Sequence, residues 1–133
     1  MTVIKIPYSF NEPCTLHEVP DAADTSIEES GKVFSAIKDL IGIEWGEIVL
    51  TLIKRVDPSR DYCLIVDEVG KLKDGWHDRI NVRASQFYAG TPYGDPIVGD
   101  VILCARQWNS TFGECDLDGL TLFESFKFMK VLN

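Results

Sequence analysis

The chain has 133 residues, of which 45% are hydrophobic and 26% are charged, a length and composition that fit one globular domain and exclude wholesale disorder. Its 21 acidic residues outnumber its 13 lysines and arginines and give a net charge of −8, which disfavours direct binding to nucleic acid or to an anionic membrane surface. No apolar run is long enough to span a membrane or to form a signal peptide, and cysteines in apolar runs suit a reducing compartment, so we expect a cytoplasmic protein.

The first 25 residues are predicted to form an acidic strand and loop within a single domain that covers residues 1–133. Side chains alternate in character over residues 2–10, which predicts a first strand that ends near Pro7. Residues 11–24 contain two prolines and most of the acidic excess, and we predict a loop or a short appendage there.

A helix is predicted next, because both its start and its stop are marked in the sequence. Ser26 and Glu29 have the spacing of a capping box, in which each side chain satisfies a backbone N–H of the other residue. Gly42 is a typical residue just after the end of a helix. The apolar residues between these marks recur at helical spacing: Val33, Phe34, Ile37, Leu40 and Ile41.

Two strand-like runs follow and predict an antiparallel hairpin. Residues 47–53 are rich in β-branched side chains, and residues 62–66 form a second short apolar run. The Asp-Pro-Ser sequence at 57–59 has the chemistry of a turn. The polar stretch 67–78 is predicted to be a loop.

A short helix and the strongest strand signal come next. Asn81 is a good helix cap, so we predict a short helix over 82–88, followed by an irregular stretch over 89–96. Residues 97–105 predict a strand that is interrupted at Gly99. Because the second half of this run has no polar alternation, we predict a central strand that is covered on both faces.

The end of the chain predicts one more helix. Thr121 and Glu124 have the spacing of a second capping box. Leu122, Phe126 and Met129 form an apolar stripe along this helix, as in a helix that packs on a core. Together the elements predict an α+β fold, a mixed, largely antiparallel sheet with two longer helices and one short helix.

The residues that catalysis or metal binding would need are scarce. Only two histidines, His17 and His77, are available as imidazole bases, and both lie in polar stretches. Cys14 and His17 have the spacing of half a zinc site, but no second pair completes it. We therefore predict no metal and no cofactor, and an enzyme is the least favoured of three function classes.

The segment 81–100 is the one candidate ligand site. Its candidate residues are Asn81, Arg83, Tyr88, Tyr93 and Asp100. An arginine beside the start of a helix can hold an anion. In the competing, structural interpretation, Asn81 caps the helix and Arg83 pairs with Asp100 or with a backbone carbonyl, while the tyrosines cover the edge of the core. We favour the structural interpretation.

The sequence also resembles a known family over about residues 30–120. Residues 81–88 (Asn-Val-Arg-Ala-Ser-Gln-Phe-Tyr) and 97–100 (Ile-Val-Gly-Asp) resemble the patterns N-x-R-A-[ST]-x-[LF]-Y and [IV]-V-G-D of a family of short proteins of unknown function carried by phages, plasmids and conjugative elements. Residues 93–96 make the link between the two patterns longer in this chain. The resemblance implies an origin in a mobile element and brings no known activity.

From these observations we expect a non-catalytic interaction protein that acts on a host protein. The alternative is a binder of a small anionic ligand through residues 81–100. An exposed apolar patch would favour the first hypothesis, and a deep pocket lined by Arg83 and Tyr88 would favour the second. Nothing in the sequence predicts an oligomeric state.

Overall fold

The computed structural model of the chain describes residues 1–20, 27–53, 56–109 and 114–133, and six strands within them form one sheet. The strands are β1 (Thr2–Ile6), β2 (Thr15–Glu18), β3 (Gly46–Leu50), β4 (Asp61–Asp67), β5 (Val101–Asn109) and β6 (Glu114–Asp118). The helices are α1 (Ile27–Ile41), α2 (Val82–Ser85) and α3 (Leu122–Leu132), with single 3-10 turns at Gly70–Leu72, Trp76–Arg79 and Thr91–Tyr93. None of the described helices is long and apolar enough to cross a membrane.

Every pairing between these strands is antiparallel within the described residues. The sheet order is β2-β1-β5-β4-β3, and β6 pairs with the far half of β5, beyond the residues that pair with β1. The predicted α+β fold with a largely antiparallel sheet is therefore confirmed. The predicted hairpin is confirmed as well, because β3 and β4 are antiparallel neighbours with Ile48 opposite Ile65.

The central strand is β5, as its apolar sequence predicted. The five residues from Val101 to Ala105 are fully buried, and β1 and β4 lie on the two edges of the strand. The strand begins at Val101 rather than at Ile97, because Gly99 has a φ of +82°, a left-handed backbone conformation that breaks the extended run. Val98 makes only an isolated bridge outside the strand.

The sheet separates two apolar layers, because successive side chains of a strand point to opposite faces. One face carries buried residues of three strands, among them Ile4, Leu64 and Leu103. Helices α2 and α3 cover this face with Ala84 and Phe128. The opposite face carries Cys63, Ile65 and Ile102, and α1 covers it with Ile37.

Two of the buried residues are cysteines that lie side by side. Cys63 on β4 is opposite Cys104 on β5, both are fully buried, and their Sγ atoms are 3.6 Å apart. The hydrogen bond with Cys63, together with burial, raises the pKa of Cys104. These free thiols serve as small core residues, as their apolar surroundings in the sequence predicted.

Neither β2 nor β6 is predicted by the sequence. The predicted loop at 11–24 is wrong over Thr15–Glu18, which pairs with Thr2–Lys5 of β1. Leu16 and Glu18 are both exposed, so no apolar alternation marks this strand, and the free edge of β1 is what makes it form. Similarly, β6 forms against the part of β5 that extends beyond β1.

The α1 helix ends where the sequence predicted. Its last residue is Ile41, and Gly42 follows with a φ of +66°, the left-handed conformation that ends many helices. The predicted cap at Ser26 lies outside the described residues.

The short α2 helix begins after Asn81 as predicted but ends at Ser85 rather than at Tyr88. Beyond it the chain turns toward the end of β3, where the backbone N–H of Leu52 donates to the carbonyl of Phe87 over 3.0 Å. The helix therefore ends early, because the Phe87 carbonyl accepts a hydrogen bond from Leu52 instead of from a residue of a longer helix.

The α3 helix has the predicted capping box but not the predicted packing face. Thr121 Oγ1 accepts from the Glu124 N–H, and Glu124 Oε1 accepts from the Thr121 N–H. Yet Leu122 and Phe126 are 88% and 65% exposed, so the stripe that was expected to pack on a core faces outward apart from the partly buried Met129. The inward face is formed by Glu124, Ser125, Phe128 and Leu132. The polar residues Glu124 and Ser125 therefore face the core, and the apolar residues Leu122 and Phe126 face solvent.

We predict that Phe128→Ala and Phe126→Ala differ sharply in their effect on stability. Phe128 is 1% exposed and packs edge-on against Tyr62, so its loss leaves a cavity that should lower the free energy of unfolding by about 3–5 kcal/mol. The exposed Phe126 should cost less than about 1 kcal/mol. Chemical denaturation of both variants measures the difference. A larger loss at Phe126 would mean that the helix is rotated from the orientation described.

Candidate functional site

Asn81 is a structural residue at the centre of the candidate segment. Its side chain is fully buried and accepts a hydrogen bond from the Ala84 N–H at 3.0 Å, which caps α2. Its Nδ2 donates to the carbonyls of Ile6 and Gly99, both at 2.9 Å. Asn81 therefore joins α2 to the end of β1 and to the turn that precedes β5.

Arg83 holds the loop between β1 and β2. Its Nη2 donates to the carbonyls of Pro7, Ser9 and Glu12 at 2.8–2.9 Å, and the residue is only 8% exposed. The structural interpretation gave Asp100 or a backbone carbonyl as the partner of Arg83, and the structure shows backbone carbonyls. The other, Asp100, instead accepts from the Tyr8 N–H.

The remaining candidate residues lie apart from Asn81 and Arg83. The Tyr88 hydroxyl donates to Asp95 at 3.2 Å, beside an ion pair that Asp95 makes with Lys71. Tyr93 is 89% exposed and therefore does not cover the edge of the core, as the structural interpretation expected. Asp100 pairs with Lys5 at 3.8 Å at the start of β5. The five residues thus do not converge on one pocket.

A groove lies between α2 and α3. Its wider part is a cavity of about 760 Å³ at the end of α3, and its narrower part is a cavity of about 250 Å³ beside the end of β3. Gln86 and Val131 line both cavities and join them. We call this surface the α2–α3 groove, and its apolar walls are Phe10, Pro13, Leu52, Val56, Val82, Phe87 and Val131.

The groove is apolar and open to solvent. Four of its large side chains are more than half exposed: Phe10 at 66%, Leu52 at 69%, Val82 at 53% and Val131 at 63%. They come from two loops and two helices that are far apart in sequence. No local pattern marks them in the sequence, because periodicity reports only the face of a single element. A concentration of this kind is typical of an interaction site.

Arg83 also fixes one wall of the groove. Its guanidinium carbon lies 5.7 Å from the ring centroid of Phe10, close enough for a cation–π contact. Since the same group binds the carbonyls on both sides of Phe10, the ring is carried by a loop that is anchored at several points. The groove is thus shaped before any partner arrives.

A second polar cluster lies at the start of α3, outside the groove. Glu124, 2% exposed, accepts hydrogen bonds from the Tyr62 hydroxyl, from the Thr121 N–H and from Nε and Nη2 of Arg60. Arg60 also binds Asp118 Oδ2 at 2.8 Å. Burial alone would raise the pKa of Glu124, but these donors outweigh burial and lower it. With its oxygen atoms occupied by protein donors, the carboxylate is a structural anchor.

No protein-family model matches the chain, and no curated protein matches it. Among solved structures, the chain is similar to the crystal structure of the small RNA methyltransferase HEN1, with a TM-score of 0.61 and 18% sequence identity. The match covers 98% of this chain and 15% of that chain. At this identity the likeness shows a shared fold alone, and a fold does not determine a function.

We predict that Arg83→Ala lowers the free energy of unfolding by about 2–4 kcal/mol, because it leaves partly buried carbonyls of one loop without their donor. Arg79→Ala is the matched control, since the Arg79 side chain makes no hydrogen bond or ion pair within the described residues. It should cost less than about 1 kcal/mol. Thermal and urea unfolding of both variants compare the two. Equal losses would contradict the anchoring role.

We predict that Glu124 makes the protein sensitive to acid. Because its folded-state pKa is lower than the unfolded value of about 4.3, its stabilisation is complete above that value and is lost as the pH falls through the folded-state pKa. Tyr62→Phe removes one donor, so the folded-state pKa of Glu124 should rise toward the unfolded value, and the loss of stability in acid should be smaller and should end at a higher pH. Urea unfolding across the acidic range measures this, and Glu124→Gln should remove this part of the pH dependence. A wild-type pH profile in Glu124→Gln would contradict the role.

Proposed function

We propose that this chain is a non-catalytic interaction protein that binds an apolar segment of another protein in the α2–α3 groove. The observation that carries the proposal is the convergence of Phe10, Leu52, Val82 and Val131, all more than half exposed, on one concave surface. Leaving these side chains in water forgoes about 25 cal/mol for each Å² of apolar area. A partner that covers them recovers this free energy.

The shape of the groove favours a partner helix or a short turn with at least two large apolar side chains. Gln86 and Val131 form the junction between a wide cavity and a narrow one, so one anchoring side chain fits on each side of them. Helices that bind in grooves use apolar side chains one turn apart in this way. The net charge of −8 favours a partner segment with flanking lysines or arginines, because opposite charges speed the encounter.

The structure around the groove supports binding without reorganisation. Asn81 and Arg83 fix α2 and the loop that carries Phe10 through hydrogen bonds of 2.8–3.0 Å. A preformed surface loses less conformational entropy on binding, and this raises the affinity.

The identity of the partner stays a prediction. The resemblance to phage and plasmid proteins is what suggests a host protein. The similar structure, HEN1, acts on small RNA according to its name, but a fold that spans 15% of that enzyme does not bring methyl transfer to this chain. Because the match covers only 15% of the HEN1 chain, a fold of this kind can also be a non-catalytic part of a larger protein.

A binder of a small anionic ligand is the weaker proposal. Arg83 does line the groove, and its Nε is buried without a partner in the described structure. However, its Nη2 is already bound to three carbonyls, and Tyr88 and Asp100 lie elsewhere. An anion at this place would therefore compete with the bonds that hold the loop.

Selection of a displayed library of random 16-residue peptides on the immobilised protein tests the leading proposal. We expect the selected peptides to carry two or more large apolar residues at helical spacing together with lysine or arginine. Val131→Glu and Leu52→Glu should each weaken these peptides by at least about tenfold, because a charge is placed where an anchor would be buried.

Leu122→Glu is the matched control for this experiment. Leu122 is on the same helix as Val131 and is 88% exposed, but it lies outside the groove. Peptide affinity in this variant should stay within about twofold of the wild type. Selected peptides that bind the groove variants as well as the wild type would overturn the proposal.

A further inference from the structure

A small cavity lies at the end of the sheet where β1 ends and β5 begins. Its volume is about 120 Å³, enough for a group of a few heavy atoms, since one water molecule takes up about 30 Å³ of the liquid. We call it the Arg79 cavity. Its walls come from segments that are far apart in the sequence and include Tyr8 after β1, Gly42 after α1, Lys73 in the turns after β4, Arg79 before α2 and Asp100 before β5.

Arg79 is the charge in this cavity that lacks a partner. Its carbonyl accepts from the Gly99 N–H at 2.7 Å, so the backbone of the residue is fixed beside the cavity. The side chain is only partly exposed, and its guanidinium group makes no hydrogen bond or ion pair with the residues that the structure describes. Acidic residues outnumber lysines and arginines by 21 to 13 in this chain, yet none of those described binds Arg79. The long side chain is therefore free to bind a ligand.

The carboxylates that line the cavity are already bound. Asp67 Oδ2 lies 2.6 Å from Lys73 Nζ. Asp100 accepts from the Tyr8 N–H at 3.0 Å and pairs with Lys5 at 3.8 Å. A cation in the cavity would have to compete with these two lysines, and the described part of the chain contains no cluster of side chains that could hold a metal ion.

Hydrogen-bond donors, in contrast, remain free around the cavity. The ammonium group of Lys73 has three N–H donors, and the bond to Asp67 uses one of them. The Arg79 guanidinium keeps all five of its donors, and the Tyr8 hydroxyl makes no hydrogen bond within the described residues. The free groups on the wall are thus mostly donors, and two of them carry positive charge. This excess favours an anion over a cation.

We propose that the Arg79 cavity binds a phosphate group, held by the guanidinium of Arg79 and the ammonium of Lys73. A guanidinium group binds two oxygen atoms of a phosphate at once, and a lysine adds a compact charge. The donors belong to three separate segments, so a tetrahedral ion whose oxygen atoms point in several directions suits them better than a planar carboxylate. The cavity admits the phosphate group and little more, so the ligand is either the free ion or a phosphate monoester whose remainder stays outside.

This site is separate from the proposed protein interaction and does not depend on it. The Arg79 cavity shares no lining residue with the α2–α3 groove, and Arg83 does not line it. The net charge of −8 opposes the approach of an anion, so we expect binding in the millimolar range that weakens as salt is added.

Titration of the full chain with inorganic phosphate, followed by amide NMR at constant ionic strength, tests the proposal. We expect saturable shifts at glycines of the cavity wall, such as Gly42, Gly70 and Gly99. Arg79→Gln should weaken binding by at least about tenfold. Lys130→Gln is the matched control, because it removes the same charge from an exposed position on α3 outside the cavity, and it should change the affinity by less than about twofold. Shifts that do not saturate would overturn the proposal, and so would equal weakening in the two variants.

Thermal unfolding gives a second measurement that does not depend on the NMR signals. Because Arg79 has no partner in the free protein, Arg79→Gln should leave the Tm without phosphate unchanged. It should also remove the part of the rise in Tm that phosphate, compared with sodium chloride, produces in the wild type. Glycerol phosphate and acetate complete the series. Tighter binding of glycerol phosphate than of inorganic phosphate would identify a monoester as the ligand, and the reverse would identify the free ion. Acetate that binds as tightly as either would contradict the assignment to phosphate.

Discussion

The hold of Arg83 on the carbonyls of Pro7, Ser9 and Glu12 is the interaction on which the candidate site depends. A loop that joins two strands normally satisfies its backbone groups with water and moves freely. Here Nη2 of Arg83 donates to three of these carbonyls, and the guanidinium group also lies beside the ring of Phe10. The cost of leaving such groups unpaired is what keeps the loop against α2. Without this anchor, one wall of the groove would have no fixed position.

A second polar anchor determines how α3 lies on the sheet. The apolar spacing of Leu122 and Phe126 would rotate these residues inward, yet both are exposed. Glu124 opposes that rotation, because its carboxylate is bound by Tyr62 and Arg60 and caps its own helix. A buried carboxylate that lost these donors would cost more than the exposure of two apolar side chains. The resulting orientation leaves Val131 at the junction of the two cavities of the groove.

The sequence predicts the elements that carry their own signals. The apolar run of β5, the hairpin of β3 and β4, the stop at Gly42 and the caps at Asn81 and Thr121 are all local features, and the structure contains each of them. Strands such as β2 form only because a neighbour offers an edge, and their own side chains are mostly polar or exposed. The orientation of α3 likewise depends on Arg60, which is more than 60 residues away in the chain.

The candidate site was harder to predict for the same reason. The sequence marks Asn81 and Arg83 as residues that need partners, since both are polar and lie beside apolar elements. It could not identify those partners, because the carbonyls of a distant loop leave no mark in a sequence. Nor could it assemble the groove, whose apolar residues belong to four separate segments. The groove is therefore not a feature of any single segment.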